Sequence, residues 1–172
     1  MAGSGLLPEP VLPVRPLLFV SGVTGSTGSG SKPLAATHHP LRHGDLYSYN
    51  ALSHRHLPEI TAGVRAATGV AAEVAFVPHS GPFARGIHVT LQAELARPLD
   101  TPALLAALSA YYAAAPLVRV RAEPPRVKDV ATSSYAHLSA SVSGGTAAVM
   151  CAIDNLNKGA AVPPLTLADR CA

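Results

Sequence analysis

The amino-acid sequence predicts an α+β fold built on a mixed, largely antiparallel sheet. Its segments follow the order strand, helix, strand, strand, helix and then three strands, without the regular alternation of a parallel α/β sheet. A Gly144–Gly145 pair between two alternating segments marks a tight hairpin. Apolar residues make up 48% of the 172 and come largely from alanine and valine, with no tryptophan and three phenylalanines. One domain is therefore expected, with a core of small side chains and closely approaching backbones.

Each element has its own local reason. Residues 1–16 carry prolines at 8, 10, 13 and 16 and read as a lead-in. PLLFVSGV then has the continuous apolar character of a buried strand and runs into SGVTGSTGSGSKP, from Ser21 to Pro33. Residues 34–50, with His38, His39 and His43, read as a polar irregular segment. PEITAGVRAATG reads as a helix: Pro58 suits a first turn, Glu59 complements its positive end and Gly69 stops it. AAEVAFVPHS (71–80) and RGIHVTLQAEL (85–95) are rich in β-branched residues and, with SGPFA between them, are expected to pair as neighbours. Asp100 or Thr101 caps a second helix, TPALLAALSAYYAAA, whose Leu104, Leu105, Leu108, Tyr111 and Tyr112 form an apolar stripe and which Pro116 ends. LVRVRAE, YAHLSASVSG and TAAVMCAID read as three strands, the first two separated by Pro124–Pro125 and a short VKDVAT segment, and NLNKGAA begins another helix.

Composition excludes several functions. The formal charge is +3 and the 13 Lys and Arg are dispersed, so nucleic-acid binding is disfavoured. No apolar stretch reaches the roughly 18 residues of a membrane span. The N-terminus has no basic leader region, so neither a membrane helix nor a signal peptide is expected and the chain reads as cytoplasmic. Cys151 and Cys171 form no CxxC, which argues against a zinc site or a disulfide framework. Cys151 lies in an apolar run and reads as an inert core thiol.

Four stretches concentrate chemistry. ALSHRHLPEI (51–60) places His54, Arg55, His56 and Glu59 just before a helix. A histidine held by a carboxylate suits general acid–base work, and the same residues also describe a solvated pre-helical loop. A metal there would need a third ligand from His38, His39 or His43 at no diagnostic spacing, so none is expected. The loop of residues 21–33 can present N–H groups and hydroxyls to an anion or serve as a linker, and it matches neither GxGxxG nor GxxxxGK[ST]. PFARGIHV offers Arg85, and AIDNLNKGAA offers Asn155 and Lys158 at a strand-to-helix transition. These suit anion or amide contacts, or solvation.

In this order SGVTGSTGSGSKP, ALSHRHLPEI, FVPHSGPFARGI and AIDNLNKGAA resemble the second domain of the N-acetyl-gamma-glutamyl-phosphate reductases of arginine biosynthesis and their lysine-pathway counterparts, which act on a carrier-linked aminoadipyl phosphate. The resemblance implies a catalytic and dimerisation domain over residues 17–161, with helices on one face of the sheet as in the C-terminal domain of glyceraldehyde-3-phosphate-dehydrogenase-like enzymes, and a homo-oligomer formed through the sheet face. In the complete enzymes it implies that a cysteine thiolate in a GCYxT context attacks the acyl phosphate and that NADPH reduces the thioester to a semialdehyde. A histidine of the HRH triplet is then the acid–base partner: His56, nearer Glu59, is favoured, with His54 the alternative. Arg55 and Arg85 are candidates for a substrate carboxylate or phosphate. Ser21, Gly22 and Gly25 would line the site near the reacting cysteine, with Asn155 and Lys158 on the nicotinamide side.

Departures from the pattern shape the remaining expectations. VKDVATSS (127–134) stands where the family has a GSN-like segment, and VPPLTLADRCA (162–172) replaces a glutamine-containing helix with a tail whose prolines forbid it. Neither the nucleotide-binding domain nor GCYxT is in the sequence. The expectation is a catalytic half from a shortened or frameshifted reading frame, or a subunit completed by a separate nucleotide-binding chain. Alone it would be inactive and bind no NADP. A non-catalytic dimerisation or regulatory module is the alternative.

Overall fold

LLFVSGVT forms the first strand, β1 (Leu17–Thr24), in a computed structural model that describes residues 16–158. The lead-in before Pro16, Cys171, the continuation of the helix expected from NLNKGAA and the tail of residues 162–172 lie outside the described residues. After β1 comes a single 3₁₀ turn, Ser26–Ser29. The segment expected to be irregular holds a 3₁₀ turn at Ala35–Thr37, a one-turn helix α1 (His39–Arg42) and a two-residue strand β2 (Tyr47–Ser48). Elements this short are too brief for an apolar period to reveal them.

Helix α2 (Leu57–Thr68) ends at Gly69, whose φ of 74° and N–H bond to the Arg65 carbonyl close the last turn. Strands β3 (Glu73–Ser80) and β4 (Ile87–Glu94) precede helix α3 (Thr101–Tyr111), capped by the Asp100 carboxylate, which accepts from the Ala103 N–H at 2.8 Å. The chain continues through β5 (Val118–Val120), the four-residue helix α4 (Val127–Val130), β6 (Ala136–Ser143) and β7 (Thr146–Ile153), the last two joined by the expected hairpin.

The seven strands lie in the order β2-β3-β1-β4-β7-β6-β5. The expectation that β3 and β4 pair is corrected: β1 inserts between them, parallel to β3 and antiparallel to β4. An edge position would leave half of the backbone groups of this apolar strand unpaired, whereas insertion satisfies both sides. Four of the six neighbouring pairs are antiparallel, and β3–β1 and β5–β6 are parallel, so the sheet is mixed and largely antiparallel as expected.

Register decides where the helices sit. Val20, Leu91, Val149 and Ala140 face one another across four strands and therefore share a face. On that face α2 packs through Val64 against Leu18, Ala72 and Ala93, and α3 packs through Leu104, Leu105 and Leu108 against Ala140 and Ala147. Ala93, Ala140 and Ala147 stand among leucines and valines on the sheet side of this core and let the helices approach closely. The stripe stops at Leu108: Tyr111 is 43% exposed and meets Tyr112 edge-on. On the opposite face, Phe19, Gln92, Ala148 and Ser141 form one open cross-strand row, with Phe19 53% exposed. At one end that face is covered by the chain after β5, where Arg121 meets His137 Nδ1 at 3.2 Å and the Ala122 carbonyl accepts from Ser139 Oγ.

Candidate functional site

The topology brings three of the four chemistry-bearing stretches to one end of the sheet, and the HRH stretch packs on β3 beside them. β1 and β3 finish together at Thr24 and Ser80, β4 begins opposite Thr24 at Ile87, and β7 ends opposite Ile87 at Ile153. Helix α2 runs back along β3, so His54 at its start packs on Phe76, and Val64, further along, packs with Val74.

The loop after β1 docks on the turn between β3 and β4. Its N–H groups donate inward: Gly25 to the Gly86 carbonyl at 2.8 Å, Ser26 to Phe83 at 3.0 Å and Thr27 to Ala84 at 3.0 Å. These donors are therefore not presented to an anion, contrary to one of the readings of that loop. Gly25 is a glycine because of this approach: a Cβ there would meet the Ala84 carbonyl oxygen at 2.6 Å. Asn155 fastens the same junction. Its Oδ1 accepts from the buried Gly86 N–H at 2.8 Å, and its Nδ2 donates to Thr27 Oγ1 at 2.9 Å. Only 4% of Asn155 is exposed.

Arg85 projects from the same turn. Its Nε donates to Asp154 Oδ2 at 2.6 Å and its Nη2 to Asn157 Oδ1 at 3.3 Å. Asp154 is fully buried and also accepts from three backbone N–H groups, those of Thr132 on Oδ2 and of Leu156 and Asn157 on Oδ1. Burial pushes its carboxyl up, but Arg85 and the Asn157, Thr132 and Leu156 N–H groups outweigh that and hold it at about 2.

The HRH stretch forms the second half. His56 stands at the N-cap of α2, and its Nδ1 lies 2.8 Å from Glu59 Oε2. A carboxylate accepts only, so Nδ1 carries the proton, and Nε2 bonds to no described residue. The His54 ring is half-buried, edge-on to Phe76 and Tyr49, and its Nδ1 accepts from the His56 N–H at 3.3 Å. Burial, with His56 and Arg55 adding to it, pushes the His54 pKa down. Arg55 is exposed. Gly22 belongs to this half, since a Cβ there would lie 3.3 Å from the Phe76 ring that seats His54. Ser21 points to the opposite face, its Oγ 3.5 Å from His79 Nδ1.

The structure thus sets His54 and Gly22 against Phe76, with His56 beside His54 and Glu59 on His56, and gathers Gly25, Arg85 and Asn155 at the β3–β4 turn. Lys158, at the limit of the described residues, donates its N–H to the Asp154 carbonyl. Burial raises the Cys151 thiol to about 11 against the opposing pull of Lys158, which makes it a poor nucleophile. Sequence reasoning missed Asp154, Thr27 and Arg42. Asp154 was visible as a lone acid at the end of an apolar strand. Arg42, which is buried and donates Nη2 to the Thr24 and Gly81 carbonyls, gave no signal because it lies in a segment without a pattern. Asn155 spends one Nδ2 N–H on Thr27 and its Oδ1 on the Gly86 N–H. Among the described residues, no cluster of three His, Cys, Asp or Glu suits a metal ion, and no helix is long and apolar enough to cross a membrane.

A mixed seven-stranded sheet, two long helices on one face and polar residues gathered at one sheet end define the fold of a semialdehyde dehydrogenase domain. A probable aspartate-semialdehyde dehydrogenase from Pseudomonas aeruginosa shares it with a TM-score of 0.71 at 14% identity, over 96% of this chain and 56% of that one. The chain belongs to the family described as semialdehyde dehydrogenase, dimerisation domain, whose profile matches residues 5–155. It is 38% identical over 157 residues to an N-acetyl-gamma-glutamyl-phosphate reductase of Wolinella succinogenes, covering 91% of this chain and 46% of that protein. It is 34% identical over 166 residues to one from a Sulfurovum species, covering 96% and 49%. These findings bear out the resemblance carried by the four motifs. The chain spans about half the length of these curated relatives.

Proposed function

We propose that this domain forms the acid–base and substrate-anchoring side of an NADP-dependent N-acetyl-gamma-glutamyl-phosphate reductase, a cytoplasmic enzyme of arginine biosynthesis. The reaction takes an acyl phosphate to a semialdehyde and releases phosphate. One observation carries the reading: the HRH stretch packs on β3 and the Arg85 turn follows the end of the same strand, both being part of the motif set. His56 exchanges a proton through Nε2 while Glu59 holds its Nδ1–H and so selects the tautomer. His54, half-buried against Phe76, supports the start of α2. Arg85 and Arg55 hold the anionic ends of the substrate. The nucleophilic cysteine and the nucleotide-binding domain lie outside the described fold, and a second copy of the chain packs on the sheet face that bears Phe19.

The test is complementation. The chain is combined with a nucleotide-binding domain that carries the GCYxT cysteine, and phosphate-dependent NADP reduction by the semialdehyde is followed. Activity is expected in the mixture. His56→Ala is expected to lower kcat by about 100-fold to 10,000-fold, and His54→Ala by much less. Absence of activity in every combination, or equal small losses in the two variants, would overturn the reading.

A further inference from the structure

We propose that Asp154 is the positioning residue for Arg85: it holds one edge of the guanidinium so that the Nη1–Nη2 edge is a preset two-donor seat for a carboxylate or phosphoryl group of the substrate. This deepens the reading above and rests on it.

The two partners differ in exposure. Asp154 is fully buried, whereas the Arg85 side chain keeps 33% of its surface exposed. A pair that served stability alone would bury both members and use both carboxylate oxygens on the arginine fork. Here Arg85 touches a single oxygen, Oδ2, at 2.6 Å, and its Nη2 turns to Asn157. The Nε side of the fork is therefore engaged by protein, and Nη1 bonds to no described residue.

The carboxylate is itself immobilised. Oδ1 accepts from the Leu156 and Asn157 N–H groups at 2.9 and 2.8 Å, and Oδ2 also accepts from the Thr132 N–H at 2.6 Å. Thr132 has a φ of 69°, a left-handed conformation that a β-branched residue rarely adopts, and this hydrogen bond helps to keep it there. Arg85 and Asp154 also flank the end of a paired ladder, two residues before Ile87 and one after its partner Ile153, so rigid strands set their separation. An arginine held in this way loses little side-chain freedom when an anion arrives.

The test uses the full 172-residue chain, labelled with ¹⁵N, and reads the Arg85 Nε–H resonance during titration with inorganic phosphate and, separately, with glutarate. In the wild type that resonance is expected to be well resolved and to shift with at least one probe, which tells phosphoryl from carboxylate recognition. Asp154→Asn places an amide donor against Arg85 or the Thr132 N–H. It is expected to return the Nε–H signal to its solvent-averaged position and weaken probe binding by about 10-fold or more. If that variant does not fold, Arg85→Lys keeps the three backbone bonds to Asp154 and is expected to abolish probe binding while the Thr132 amide resonance stays in place. An Arg85 signal that answers neither probe, or probe affinity unchanged in the folded variants, would overturn the proposal. These readouts need no turnover, so failed complementation would sink the reductase reading without deciding this one.

Discussion

Replacing Asn155 by alanine tests whether the junction between the loop after β1 and the β3–β4 turn is held as described. The substitution removes the Oδ1 that accepts from the Gly86 N–H at 2.8 Å and the Nδ2 that donates to Thr27 Oγ1. Gly86 is buried, so its N–H would be left without a partner, at a cost of about 1–3 kcal/mol. Thr27 keeps its 2.7 Å bond to the Ala84 carbonyl, so its loss is about 1 kcal/mol. The sum, about 2–4 kcal/mol, corresponds to a fall in Tm of about 5–15 °C for a domain of this size. Urea unfolding followed by circular dichroism measures the loss, and an unchanged m-value would show that the unfolded state is unaffected. The three backbone bonds of Gly25, Ser26 and Thr27 remain, so hydrogen exchange should speed up first at the Gly86 amide. A loss below about 0.5 kcal/mol would refute the buried-donor reasoning.

Two further outcomes follow from the same end of the sheet. Gly25→Ala would set a Cβ 2.6–2.8 Å from Ala84 and Arg85 backbone atoms. Because the φ of −72° suits alanine, the penalty is steric, about 1–3 kcal/mol by urea unfolding, and should exceed that of Gly28→Ala, whose nearest neighbour would lie at an ordinary 3.4 Å. Asp154 should appear in acid unfolding. Its pKa falls from 3.8 to about 2 on folding, so the unfolded chain takes up the proton first. Its contribution of about 2 kcal/mol is complete above roughly pH 5 and is lost as pH falls toward 2, and Asp154→Asn should flatten the stability curve across that window.

Much of this site was legible before any coordinates. HRHLPE announced an imidazole and a carboxylate at a helix start, because the proline, the acidic first turn and the stop at Gly69 are local features. Arg85 was visible, but its partner was not: Asp154 lies sixty-nine positions away and meets it only because β7 pairs with β4. Asn155 shows the same limit. Its place in a motif suggested a ligand contact, and the structure adds a bond from its amide to the turn that holds Arg85, which the motif did not reveal.

The sequence by itself determined the fold class, the two long helices, the Gly144–Gly145 hairpin and the family, because periodicity, capping and motif order act over a few residues. Only the tertiary structure decided that β1 separates β3 from β4, that the glycine-rich loop donates its N–H groups inward, and that Asp154 holds Arg85. Those outcomes depend on which distant backbone groups and charges must find partners once water is excluded. That requirement is met globally, and no short stretch of sequence records its solution.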